Sequence, residues 1–157
     1  MYVLLNNQHG GFTQTTTIAV SGVYRVMLAD LNGDGNLDAV VQTSLNAATY
    51  LGDGKGDLTA GQSGIPYPGA DTLPAQIGDV NGDGIPDLIL PADGSIGIAL
   101  GLGNGKVTMA PYAVGVGQAP GQIFLENPHG QSAASGKPDL VAPDSSVGVT
   151  VLINLTK

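Results

Sequence analysis

The sequence predicts an all-β fold assembled from about three repeats of four short antiparallel strands, and three observations lead there. The 157 residues include 25 glycines and 10 prolines and are 42% hydrophobic but only 11% charged, a balance that suits many short strands and tight turns better than long helices. No window of the chain sustains a helical hydrophobic period. Motifs also recur with a period of about fifty residues, the range of solenoids, propellers and arrays.

At this length one domain with its own core is expected. In the first period, apolar or β-branched runs between Gly, Asn, Asp and Ser mark strands at Val3–Leu5, Thr15–Val20, Val23–Leu28 and Ala39–Gln42. One strand running into a polar turn then recurs down the chain. It reads Val3-Leu4-Leu5-Asn6-Asn7, Thr49-Tyr50-Leu51-Gly52-Asp53-Gly54-Lys55, Leu100-Gly101-Leu102-Gly103-Asn104-Gly105-Lys106 and Thr150-Val151-Leu152-Ile153-Asn154. These copies bracket repeats at roughly 1–49, 50–100 and 101–151, with a terminal strand at 150–155. Four antiparallel strands per repeat is the content of one β-propeller blade.

The chemistry concentrates in two acidic loops that begin 49 residues apart, Asp30-Leu31-Asn32-Gly33-Asp34-Gly35-Asn36-Leu37-Asp38 and Asp79-Val80-Asn81-Gly82-Asp83-Gly84-Ile85-Pro86-Asp87. A hard divalent cation wants roughly six to eight oxygens, and a loop supplies them when alternate residues point inward around a tight backbone turn. Asp30, Asn32, Asp34 and Asp38 stand at loop positions 1, 3, 5 and 9, with the carbonyl of Asn36 at position 7. Asp79, Asn81, Asp83, the carbonyl of Ile85 and Asp87 repeat the set. Gly33, Gly35, Gly82 and Gly84 permit the positive φ such a turn needs. An oxygen-only donor set favours calcium over zinc or copper, so two Ca2+ sites are expected. An EF-hand would place a bidentate Glu at position 12, which here is Val41 or Leu90. The plain alternative is a solvated acidic turn, since Asn-Gly and Asp-Gly are ordinary hairpin residues. Against it, three carboxylates in one loop repel each other without a cation, and the spacing occurs twice.

A weaker third echo is Lys137-Pro138-Asp139-Leu140-Val141. The stretch from Glu126 to Asp139 before it lacks alternating carboxylates, so no calcium is expected there.

These repeats resemble the FG-GAP/VCBS type found in the integrin α-subunit propeller and in many bacterial extracellular proteins. The residues responsible are the run from Ala29 through Asp30 and Asp38 to Val41, the turn Leu51-Gly52-Asp53-Gly54, and their equivalents one period later. Where that family has Phe-Gly or Gly-Thr-Phe, this chain keeps only Gly11-Phe12, with Leu58 and Val107 standing in for the aromatic elsewhere. The resemblance implies β-propeller blades, structural calcium, an extracellular or cell-surface location, and recognition or adhesion through a protein or carbohydrate ligand, with no catalysis. A lectin-like carbohydrate-binding propeller and a propeller-type hydrolase or lyase are the alternatives. Closed propellers have about four to eight blades. About three blades therefore form a partial ring, a fragment of a longer propeller, or half of a six-bladed homodimer.

Thirteen acidic groups against five basic ones give a net charge of −8, which repels nucleic acid and anionic membranes, so neither is an expected partner. Two bound divalent ions would bring that charge to −4. The absence of cysteine excludes disulfides, thiolate zinc sites and cysteine nucleophiles. No stretch has the length of a membrane helix. Met1 runs straight into Tyr2-Val3-Leu4-Leu5 without a basic segment or cleavage site, as in a cytosolic chain or one lacking its targeting segment. His9 and His129 sit in turn-like contexts without a catalytic motif partner. The runs at Gly52–Gly56 and Gly101–Lys106 lack the phosphate-loop pattern and read as hairpin turns. Tyr2, Tyr24, Tyr50, Tyr67 and Tyr112 are scattered and fit packing as well as a sugar site. Asn154-Leu155-Thr156 fits a glycosylation sequon.

Overall fold

Strands form where apolar or β-branched runs are punctuated by glycine turns, and the computed structural model arranges them in four small antiparallel sheets. It describes residues 1–44, 46–66, 74–92, 94–115, 123–126, 138–144 and 148–152. Loop residues 127–137 with His129, Tyr67, and residues 153–155 of the expected terminal strand lie outside the described residues.

β1 (Tyr2–Asn6) and β2 (Phe12–Thr17) pair as a hairpin. β3 (Val23–Ala29), β4 (Asp38–Thr43), β5 (Asn46–Gly52) and β6 (Leu58–Ala60) make the second sheet in sequence order, and β7 (Ile65–Pro66) pairs with the start of β5. β8 (Gln76–Gly78), β9 (Asp87–Ala92), β10 (Ser95–Gly101) and β11 (Val107–Gly115) make the third. β12 (Phe124–Glu126), β13 (Asp139–Asp144) and β14 (Gly148–Leu152) make the fourth. The all-β class is as the sequence predicts, and among the described residues no sheet closes on itself.

The sheets keep the fifty-residue period but divide the chain at another phase. A cut between residues 49 and 50 falls inside β5, which is hydrogen-bonded to β4 on one side and β6 on the other. The four strands expected to form one first unit are thus split, with β1 and β2 in one sheet and β3 and β4 in the next. The register repeats between the two complete sheets, because Ala39 faces Tyr50 just as Leu88 faces Ala99.

Side chains alternate between the faces of a strand, and β4 and β9, in the middle of the two complete sheets, are buried on both. Val40 points one way and meets Leu88 and Leu90 of the next sheet, in a core that also takes Leu31, Ala47, Ile65 and Val107. Ile89, on the opposite face of β9, meets Leu140 and Ala142 of the fourth sheet together with Ile96 and Ile123. Pro91 lies within β9 and is fully buried. It is tolerated because β8 pairs no further along β9 than Ile89, so no ladder on that flank needs the missing N–H.

Candidate metal loops

Each acidic loop links the first strand of a complete sheet to the second, from β3 to β4 and from β8 to β9. The Asp at position 1 sits inside the turn and gathers its backbone N–H groups. Asp30 Oδ1 accepts from the N–H of Gly33 (2.7 Å), Asp34 (3.2 Å) and Asn32 (3.3 Å), and its Oδ2 accepts from Gly35 (2.9 Å). Gly33 and Gly35 hold φ of 77° and 84°, the left-handed region in which a side chain is costly. Asp79 repeats the arrangement, with Oδ1 accepting from Gly82 (2.6 Å) and Asp83 (3.2 Å) and Oδ2 from Gly84 (2.8 Å).

Positions 3 and 5 pair with each other. Asn32 Oδ1 accepts from the Asp34 N–H at 3.0 Å, and Asn32 Nδ2 donates to Asp34 Oδ2 at 3.0 Å. Asp34 Oδ1 in turn accepts from the Asn36 N–H at 2.7 Å. Asn81, Asp83 and the Ile85 N–H form the same three bonds at 2.8, 2.9 and 2.8 Å. Asp34 and Asp83 are exposed. The Asn36 N–H holds the Asp34 carboxyl below its usual value, and the Asn81 amide does the same for Asp83.

The Asp at position 9 behaves differently, because it is fully buried in both loops. Asp38 Oδ2 accepts from the Leu31 N–H and its Oδ1 from the Gly52 N–H, both at 2.8 Å. Asp87 accepts from Val80 at 2.9 Å and Gly101 at 2.8 Å. One carboxylate thereby ties the start of its loop to the far end of the neighbouring strand. Burial pushes the Asp87 carboxyl up, against the pull of the Gly101 and Val80 N–H groups.

Gly52 and Gly101 were not among the residues singled out for these sites, although they are part of the construction. A Cβ on Gly52 would collide with the carbonyl oxygen of Leu37, and one on Gly101 with that of Pro86. The sequence signal was the glycine at the same place in both strand-turn copies.

The ten expected ligand residues therefore fall into two local groups of five, each within one turn and linked by its own hydrogen bonds. Among the described residues, no three acidic or histidine side chains converge as a ready-made metal cluster. In each loop the carboxylates at positions 1 and 9 are directed at backbone N–H groups instead. His9 lies exposed in the β1–β2 turn, where its N–H donates to Asn7 Oδ1 at 2.9 Å.

A family model for the FG-GAP-like repeat matches residues 30–90, which run from the first Asp of one loop past the last Asp of the other. Residues 30–90 are an FG-GAP-like repeat. A search of curated proteins finds no significant match. The FG-GAP-like segment begins at Asp30 and ends within β9, so it contains both loops and the whole of β4 to β8.

Sheet-to-sheet contacts within the FG-GAP-like segment continue into the turn that follows it. Thr49 Oγ1 donates to the Gly105 carbonyl at 2.7 Å and accepts from the Gln62 N–H at 2.8 Å. Gln62 Oε1 accepts from Val107 N–H at 2.7 Å, and Gly105 N–H donates to the Leu31 carbonyl at 3.2 Å. The first acidic loop is thus clasped to the β10–β11 turn. Contact with the β1–β2 hairpin is similar in kind, with Thr15 Oγ1 donating to the Gly56 carbonyl at 2.9 Å and Thr16 Oγ1 to Asp57.

Proposed function

We propose that each acidic loop binds one calcium ion and that the ion is structural, in a β-propeller-type repeat module for extracellular recognition or adhesion. The observation that carries the calcium assignment is the agreement between the two loops. Their oxygen donors stand at the same five positions, and the three bonds linking positions 3, 5 and 7 are the same atom for atom. FG-GAP-like repeats commonly bind calcium. Asp30, Asn32, Asp34, Asp38 and the Asn36 carbonyl would hold one ion, and Asp79, Asn81, Asp83, Asp87 and the Ile85 carbonyl the other. Calcium would supply positive charge to three carboxylates per loop and fix the turn between the strands; no bond is made or broken. Since the carboxylates now face N–H groups, binding is coupled to a local adjustment of the loop.

With an affinity of about 0.1 mM, as in extracellular modules, roughly 1 mM calcium stabilises the fold by about 1.4 kcal/mol per site. Titration calorimetry on the wild type is expected to find two sites, and Asp34→Ala or Asp83→Ala one site each. An absence of binding heat at millimolar calcium, with melting curves identical in calcium and in chelator, would sink the proposal. The recognition role rests on the family resemblance, and a glycan array run beside a panel of matrix proteins tests it. Binding confined to glycans would favour the lectin-like alternative.

A further inference from the structure

Asparagine followed directly by glycine is chemically labile, because no side chain shields the glycine nitrogen from the carboxamide before it. The pair occurs at Asn32-Gly33, Asn81-Gly82 and Asn104-Gly105. In all three, the asparagine Oδ1 accepts from the N–H two residues on, at 3.0 Å from Asp34, 2.8 Å from Asp83 and 3.1 Å from Lys106. That shared bond curls each carboxamide back toward the glycine nitrogen with which it would react.

The pairs differ in how their reacting groups are held. In the acidic loops, Asn32 Nδ2 and Asn81 Nδ2 donate to the carboxylates of Asp34 and Asp83 at 3.0 and 2.9 Å, so the nitrogen that would depart is anchored. The N–H groups of Gly33 and Gly82 donate to the carboxylates of Asp30 and Asp79 at 2.7 and 2.6 Å. Reaction needs that glycine nitrogen to give up its proton, and an anion beside it opposes the negative charge that develops.

The β10–β11 turn has neither guard. Asn104 is exposed, and among the described residues its side chain bonds only through Oδ1, to Lys106. The Gly105 N–H donates to a neutral acceptor, the Leu31 carbonyl, at 3.2 Å. What restrains the pair is the clasp between sheets, in which Gly105 is buried and its own carbonyl accepts from Thr49 Oγ1 at 2.7 Å.

We infer that Asn104 is a site of spontaneous deamidation, gated by opening of the clasp between the β10–β11 turn and the first acidic loop. Once released from the Leu31 carbonyl, the Gly105 nitrogen loses its proton to solvent and attacks Asn104 Cγ. The new N–Cγ bond closes a succinimide while the Cγ–Nδ2 bond breaks, and Nδ2 takes a proton from water and leaves as ammonia. Water then opens the ring at one carbonyl or the other, giving aspartate or isoaspartate at position 104 with one added negative charge. No oxidant or reductant takes part. Isoaspartate also adds a carbon to the backbone of the turn, so the Gly105 N–H and carbonyl no longer both meet Leu31 and Thr49. The first acidic loop thereby loses its clasp. Because the turn opens before it reacts, the observed rate is the chemical rate scaled by the open population.

The test is incubation of the folded protein in warm, mildly alkaline buffer with chelator, followed by peptide mapping with mass spectrometry. Asn104 is expected to convert about tenfold faster than Asn32 or Asn81. Thr49→Val, which removes one side of the clasp, should speed Asn104 about tenfold and leave the other two at the wild-type pace. Asn104→Gln should abolish the main acidic species on ion exchange. Conversion of Asn32 or Asn81 as fast as Asn104, or no conversion of Asn104 in the folded protein, would overturn the inference. So would an equal acceleration of all three sites by Thr49→Val, since that marks global unfolding in place of an opened clasp.

Discussion

Replacing Asp38 by alanine should cost far more stability than its place in an acidic surface loop suggests, and the cost should appear with calcium removed. The side chain is fully buried and its two oxygens serve one N–H each, from Leu31 and Gly52. Hydrogen bonds to a charged group contribute about 1.5–3 kcal/mol apiece, and a buried donor left without a partner costs about 1–3 kcal/mol. Alanine strands both donors, so the expected loss is about 3–5 kcal/mol. For a domain of this size each kcal/mol moves the melting midpoint by roughly 2–4 °C, giving a fall on the order of 10 °C. Asp38→Asn keeps one acceptor oxygen but turns an NH2 toward the other donor, so it should recover only part of the loss. The measurement is urea unfolding in excess chelator for wild type, Asp38→Ala, Asp38→Asn and the equivalent Asp87 pair, with Asp34→Ala as an exposed control. A loss under about 0.5 kcal/mol for both alanine variants, the range of ordinary surface changes, would refute the assignment of these carboxylates as ties between loop and strand.

Three further outcomes follow from the same geometry. Gly52→Ala and Gly101→Ala place a Cβ against the carbonyl of Leu37 or Pro86 and should each destabilise by about 1–3 kcal/mol in a thermal melt, with or without calcium. Thr49→Val removes the bonds to Gly105 and Gln62 and should cost about 1–2 kcal/mol, with a shallower denaturant slope as the two sheets uncouple. In chelator, the raised folded-state pKa of Asp87 makes its stabilising contribution complete below the ordinary carboxylate value of 3.8 and lost as pH rises through the raised value. The lowered values of Asp34, Asp53 and Asp83 act in the opposite sense, contributing above 3.8 and losing that contribution as pH falls through the depressed values. Wild-type stability relative to Asp87→Asn should therefore decline as pH rises through and above the ordinary carboxylate range, as measured by urea unfolding.

Much of the fold was legible because period-two runs and glycine turns are local signals. The strands at Val23–Ala29 and Asp38–Thr43 lie within a residue of where the pattern put them. Which strands share a sheet was not legible, since that depends on pairing across the chain and a repeat can be cut at any phase. A strand like β5 reads as the start of one unit or the third strand of another until its partners on both sides are known. The acidic loops were legible as turns with alternating oxygens, and their hydrogen bonds are local. The burial of Asp38 and Asp87 was not, because it comes from Gly52 and Gly101, 14 residues further along.

Asp139 separates two roles that the acidic loops otherwise combine. It begins β13 as Asp38 begins β4 and Asp87 begins β9, and it is only 3% exposed. The stretch before it has no alternating Asp and Asn at positions matching Asp30, Asn32 and Asp34. A carboxylate buried at the head of the second strand is thus kept where the rest of the oxygen set is missing. Burying an ionised group without a gain in bonding is costly, so this position answers first to the strand it starts. In the two full loops the same carboxylate fixes the end of the turn, which leaves Asp30, Asn32 and Asp34, or Asp79, Asn81 and Asp83, as the residues whose spacing is explained by a cation. Calcium affinity and calcium-free stability should accordingly be separable by mutation, the first at positions 3 and 5 and the second at position 9.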